Sequence, residues 1–137
     1  ASTLRVSSAM TLKPSQLPMQ RILLAEDDDS MRGFLERALE RAGYDVVSFS
    51  NGEEAYGRLL EEPFTLLLTD IVMPRMDGIE LARRASELDP DLKIMFITGF
   101  AAVILNSDVA AAKEAHVLSK PFHLKDLVNE VERLLAA

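Results

Sequence analysis

From Arg21 onward, apolar and polar positions follow two alternating rhythms. "RILLA" (Arg21–Ala25) is a short apolar run, and Met31, Phe34, Leu35, Ala38, Leu39 and Ala42 then recur at helical spacing. Gly43 follows that helix, where a glycine commonly closes the last turn. "DVVSF" (Asp45–Phe49) predicts a second strand, and "GEEAYGRLLEE" (Gly52–Glu62) a helix stopped by Pro63. "TLLLT" (Thr65–Thr69) is apolar without alternation, the mark of a strand buried on both faces. Helix "GIELARRASEL" (Gly78–Leu88) and strand "LKIMFI" (Leu92–Ile97) come next. A weaker helix is expected within Ala101–Ala115, interrupted by Asn106, Ser107 and Asp108. Strand "HVLS" (His116–Ser119) precedes a closing helix with Leu124, Leu127, Val128, Val131, Leu134 and Leu135 on one face.

Five such β/α units predict an α/β, doubly wound, five-stranded parallel sheet with helices on both faces. The sheet is expected to use each helix's apolar stripe in full, and the methionines read mostly as core filler. Sheets of this kind carry function at the carboxyl ends of their strands. Those places fall just after Ala25, Thr69, Ile97 and Ser119, and polar residues gather there: Glu26 and Asp27, then Asp70, Thr98, and Lys120 followed by Pro121. One acid at a strand end is usually a cap or a turn residue. Three acids, a hydroxyl and a lysine converging from four strand ends need another account.

Composition narrows the classes. The net charge of −7 argues against direct nucleic-acid binding, which requires a basic face. No apolar run approaches the roughly 20 residues that span a bilayer, so no membrane partner is expected. The absence of cysteine excludes disulfides and thiolate metal sites and fits a cytoplasmic protein. Residues 1–18 contain serines, threonines and two prolines, no acid and no sustained period. They are expected to be a disordered or vector-derived leader, with Met19 as the natural start, ahead of a single domain over 19–137.

The residues at the strand ends resemble a response-regulator receiver domain. The likeness is carried by "AEDD" (Ala25–Asp28), "LLLTDIVMPRMDG" (Leu66–Gly78), "ITG" (Ile97–Gly99) and "SKPF" (Ser119–Phe122). It implies strand order 2-1-3-4-5, the CheY-like or flavodoxin-like arrangement, and a cis Lys120–Pro121 bond. It also implies a phosphoacceptor at Asp70, an acidic pair at Glu26 and Asp27, a switch hydroxyl at Thr98 and a phosphoryl-stabilising lysine at Lys120. Such a protein is a phosphoacceptor regulator in a two-component phosphorelay rather than an enzyme, limited to its own phosphoryl transfer and dephosphorylation.

The chemistry of these groups agrees with the likeness. A phosphoryl group arriving at Asp70 brings an anion to existing carboxylates, a repulsion that Mg²⁺ relieves through oxygen ligands. Asp27, Asp70 and the backbone carbonyl of Val72 are the expected direct ligands. The longer Glu26 side chain suits contact through a metal-bound water. Lys120 would neutralise phosphoryl charge, and Thr98 would donate a hydrogen bond. Asp28 and Asp29 read as a solvated turn and a helix N-cap. Thr69 reads as a strand residue, Asp77-Gly78 as a turn and helix start, His116 and His123 as structural, and Phe100 and Phe122 as packing. An aspartyl-phosphate hydrolase would need an acid two residues after Asp70, where Val72 stands. A flavodoxin-like carrier would need a phosphate loop after the first strand, where four acids stand instead.

One position departs from the common receiver: Val117 occupies a place often held by Tyr or Phe, so the relay from site to surface must differ. A finer likeness lies in "TDIVMP", "ELARRASELDP", "KIMFITGFAAV", "VLSKPFHL" and the ending "LLAA", which resemble the CpdR-type stand-alone receivers. No output domain is expected after the last helix. The likeness implies an adaptor controlling the ClpXP protease in the bacterial cell cycle. Its unphosphorylated form would engage the ClpX unfoldase, and a histidine kinase or histidine phosphotransferase would switch it off. The alternative is a diffusible phosphate shuttle or a chemotaxis-like regulator that binds another protein.

Overall fold

A computed structural model describes residues 20–99 and 116–136. Five parallel strands, β1 (Arg21–Ala25), β2 (Asp45–Phe49), β3 (Leu66–Asp70), β4 (Lys93–Thr98) and β5 (His116–Ser119), form one sheet in the order β2-β1-β3-β4-β5. The described helices are α1 (Asp29–Arg41), α2 (Gly52–Glu61), α3 (Gly78–Leu88) and α4 (Leu124–Ala136). Fold class and strand order are as expected. The expected leader and the weaker helix within Ala101–Ala115 lie outside the described residues, as does Phe100.

Side chains of the central strands point to alternate faces with period two and feed two cores. Leu23, Leu67, Ile94 and Phe96 pack with α2 and α3 through Ala55, Leu59, Leu81 and Ala85. Ile22, Leu24, Leu66, Leu68, Met95 and Ile97 pack on the other face with Leu35 and Leu39 of α1 and Leu127, Val131 and Leu134 of α4. Phe122 packs against this second core, as expected.

Local chemistry sets the helix ends. Asn51 and Asp77 cap α2 and α3 by accepting hydrogen bonds from Glu54 N at 2.9 Å and Glu80 N at 2.8 Å. Gly43 takes a φ of +102° just past α1, the left-handed conformation that ends a helix most cheaply with glycine. The residue before Pro63, Glu62, is extended (φ −154°, ψ 154°), which stops α2.

Three expectations need correction. β3 and β4 each begin and end one residue later than the apolar pattern suggests, at Leu66–Asp70 and Lys93–Thr98, because Asp70 pairs with Ile97 and Thr98 with Ser119 in the parallel register. Asp28, rather than Asp29, is the N-cap of α1, accepting from Met31 N at 2.9 Å. The sheet does not use every stripe in full: Phe34 of α1 is 51% exposed, and Leu60 and Leu88 also face solvent. The Arg37 guanidinium sits over the Phe34 ring, 5.3 Å from its centroid, which gives that face a partner without burial.

Candidate functional site

The four acids that follow β1 have four different settings. Glu26 continues the strand inward and is fully buried, with its N–H donating to Phe49 O at 3.0 Å. Its carboxylate accepts from Asp28 N at 3.1 Å. Asp27 is exposed at the sheet edge, and Asp28 caps α1. Asp29 pairs with Arg32 at 2.6 Å, and Arg32 in turn donates to Glu26 O at 2.9 Å. Helix capping and an ion pair absorb the second half of the acidic run, leaving Glu26 and Asp27 for the pocket.

Asp70 ends β3 and is buried. Its Oδ1 accepts from Ile71 N at 2.7 Å, and its Oδ2 lies 3.0 Å from Lys120 Nζ. The same Nζ stands 3.4 Å from Glu26 Oε1. Carboxylate oxygens of Glu26, Asp27 and Asp70 all lie within 4.8 Å of one another. Thr98 is fully buried at the end of β4, and its carbonyl accepts from Lys120 N at 2.8 Å. The Lys120–Pro121 bond is cis. Val72 is exposed on the loop after Asp70. Thr69 is more than a strand filler, because its Oγ1 donates to Asp70 O at 2.7 Å.

Electrostatics follow from burial. Loss of water pushes the Glu26 carboxyl up to about 7. The hydrogen bond from Asp28 and the Lys120 charge oppose that rise, and the Asp70 charge adds to it. Burial pulls Lys120 down, but the hydrogen bond to Asp70 and the nearby charges of Glu26 and Asp70 more than offset it, so its net shift is upward. One lysine thus faces a cluster of three carboxylates, and negative charge remains in excess. The donors are hard oxygens with no His or Cys among them, a set suited to Mg²⁺ rather than zinc. His116 and His123 are exposed and outside the cluster.

Two glycines shape the site in a way that pattern alone does not reveal. A Cβ on Gly78 would lie 1.9 Å from Asp70 O, and one on Gly52 would lie 2.2 Å from Met76 O. Gly78 N also donates to Ile71 O at 2.7 Å, closing the loop that follows Asp70. The Asp77-Gly78 pair signals a turn and a helix start, but its pressure on the Asp70 carbonyl depends on a tertiary contact. Val117, paired with Phe96 across β4 and β5, packs on the first core.

Residues 22–132 match the family model described as the response regulator receiver domain. The chain is 73% identical over 119 residues to the response regulator receiver protein CpdR of Brucella abortus (strain 2308), covering 87% of this chain and 99% of that protein. A CheY-like receiver domain protein from Methanospirillum hungatei JF-1 has a similar structure, with a TM-score of 0.79 at 31% identity, covering 87% of this chain and 95% of that one. The response regulator TrrA of Thermotoga maritima, solved in complex with Mg²⁺-BeF, gives a TM-score of 0.77 at 28% identity, covering 85% and 99%. Receiver domains bind Mg²⁺ at their acidic pocket, and the carboxylates gathered here fit that ion. The chain belongs to the family of response-regulator receiver domains of two-component signalling.

Proposed function

We propose that this protein accepts a phosphoryl group on Asp70 from a histidine kinase or histidine phosphotransferase and thereby switches a protein-binding surface. The observation that carries the reading is the placement of Asp70, which faces Lys120 at 3.0 Å and shares a cluster with Glu26 and Asp27. An Asp70 carboxylate oxygen attacks the phosphorus of a phosphohistidine, forming an O–P bond as the P–N bond breaks. The departing imidazole takes up a proton. Asp27, Asp70 and the Val72 carbonyl would hold Mg²⁺ directly, with Glu26 reaching it through water. The ion supplies charge neutralisation to the incoming phosphoryl oxygens. Lys120 moves its ammonium from carboxylate to phosphoryl oxygen, and the Thr98 hydroxyl donates to the same group.

The output is read as control of ClpXP, with the unphosphorylated form engaging ClpX. The 73% identity to the Brucella protein CpdR supports this reading. Incubation with acetyl phosphate and Mg²⁺ should add one phosphoryl mass to the protein and none to Asp70→Ala; an equal adduct in that variant sinks the assignment. Affinity capture from bacterial extract with unphosphorylated and Asp70→Ala protein should recover ClpX. Recovery of flagellar-motor or kinase proteins instead would favour a chemotaxis-like regulator or a phosphate shuttle.

A further inference from the structure

The loop from Ile71 to Asp77 joins the end of β3 to α3, and its middle is strained. Arg75 has a φ of +71°, and Met76 N donates across it to Pro74 O at 2.8 Å. A hydrogen bond spanning one residue of positive φ is the rare, strained form of the γ-turn, and a bulky side chain makes it costlier still. A strained turn persists only where its surroundings hold it. Here the surroundings are the first two residues of α2. Arg75 Nη2 meets Glu53 Oε1 at 2.6 Å, and the Met76 carbonyl seats on Gly52, where no side chain fits.

Topology gives that contact a direction. α2 follows β2, the loop follows β3, and β1 lies between those two strands in the sheet. The Glu53–Arg75 pair therefore joins the two connections that flank the carboxyl end of β1, where Glu26 and Asp27 sit. Both partners are more than half exposed, and an exposed pair contributes little to global stability. Its effect is local, on a loop whose Val72 carbonyl is the third direct ligand in the reading above.

We propose that Glu53 and Arg75 are positioning residues: a latch that holds the Ile71–Asp77 loop in its strained form and so sets the affinity of the acidic pocket for a divalent cation. This rests on the assignment of the Mg²⁺ site. A charge effect alone makes a different forecast. Removing the acid Glu53 would weaken cation binding, whereas removing the cation Arg75 would strengthen it. A latch fails when either half is lost.

The experiment is calorimetric titration of the full chain with Mg²⁺, with thermal unfolding of the metal-free proteins in parallel. Glu53→Gln and Arg75→Gln should each weaken Mg²⁺ binding about 10-fold, the lower end of what losing a partner that orients a metal ligand costs. The double change Glu53→Arg with Arg75→Glu, which restores the pair with its charges reversed, should recover affinity to within about twofold of the parent. The unfolding midpoints should barely move. Opposite shifts in the two single variants, or no recovery in the reversed pair, would overturn the latch. Asp27→Asn separates the two levels of the argument: it must abolish binding if the pocket holds the ion at all. Unchanged titration of that variant refutes the site, and the latch with it.

Discussion

Lys120 Nζ lies 3.0 Å from Asp70 Oδ2, a contact between side chains fifty residues apart in sequence. It joins the end of β3 to the end of β5 across β4. The lysine here already neutralises a carboxylate, so the proposed phosphorylation of Asp70 would alter which oxygen it serves rather than create a new partner. A modification adding about −1.5 to −2 charges would act by shifting the balance between conformations rather than by building a new contact.

Lys120→Ala should still accept some phosphoryl group but lose the coupling from pocket to surface. Amide exchange with and without beryllofluoride measures this directly. The parent protein should change protection around β5, and Lys120→Ala should change little. A full response in the variant would show that the link runs elsewhere.

Two glycine-to-alanine substitutions should have opposite signs. Gly78→Ala forces a methyl into the Asp70 carbonyl at 1.9 Å, and should destabilise the fold by about 1–3 kcal/mol while slowing phosphorylation of Asp70. Gly57 lies inside α2 with nothing within 4 Å of its would-be Cβ, so Gly57→Ala should stabilise by about 0.5–1 kcal/mol. Urea unfolding curves of the two variants decide the matter.

The apolar face of α1 should prove unequal along its length. Leu35→Ala, at a fully buried position, should cost about 2–5 kcal/mol. Phe34→Ser, half exposed one residue earlier, should cost roughly 0.5 kcal/mol or less. Equal losses in denaturant titrations would mean that the Phe34 ring is buried in solution.

Glu80 should resist protonation. Hydrogen bonds from Arg83 and then Arg84 pull its carboxyl down to about 2, against an ordinary value of 4.5. A depressed native value means that the contribution of this group to stability is complete above 4.5 and fades as pH falls through about 2. Carbon-detected NMR titration of the side chain should place its midpoint near that lower value. In Arg83→Ala with Arg84→Ala the midpoint should return to the ordinary range.

Much of the candidate site is visible in the chain before any coordinates, because parallel pairing makes one edge out of distant strand ends. Glu26, Asp27, Asp70, Thr98 and Lys120 all follow apolar runs, so strand order and register alone bring them together. What pattern cannot reveal is contact. The apolar spacing of α1 includes Phe34 on equal terms with Leu35, although the stripe's edge rather than its centre carries the ring. Gly78 and Gly52 look like helix starts, and only the fold shows carbonyls pressed against them. Asp28 and Asp29 are interchangeable as caps by type, and one backbone hydrogen bond to Met31 decides between them.

The burial of the strands grades across the sheet. β3 is buried along its whole length, as is β1 from Ile22 onward, whereas every residue of β5 is at least partly open to solvent. Asp70 and Glu26 thus stand on the part of the molecule least able to yield, and Lys120 stands beside the part most able to. The pocket has an anvil for a floor and, at β5, a wall open to solvent. If Asp70 takes up a phosphoryl group as proposed, the electrostatic work done there would meet close-packed side chains below it and, through Lys120, an edge strand open to a partner.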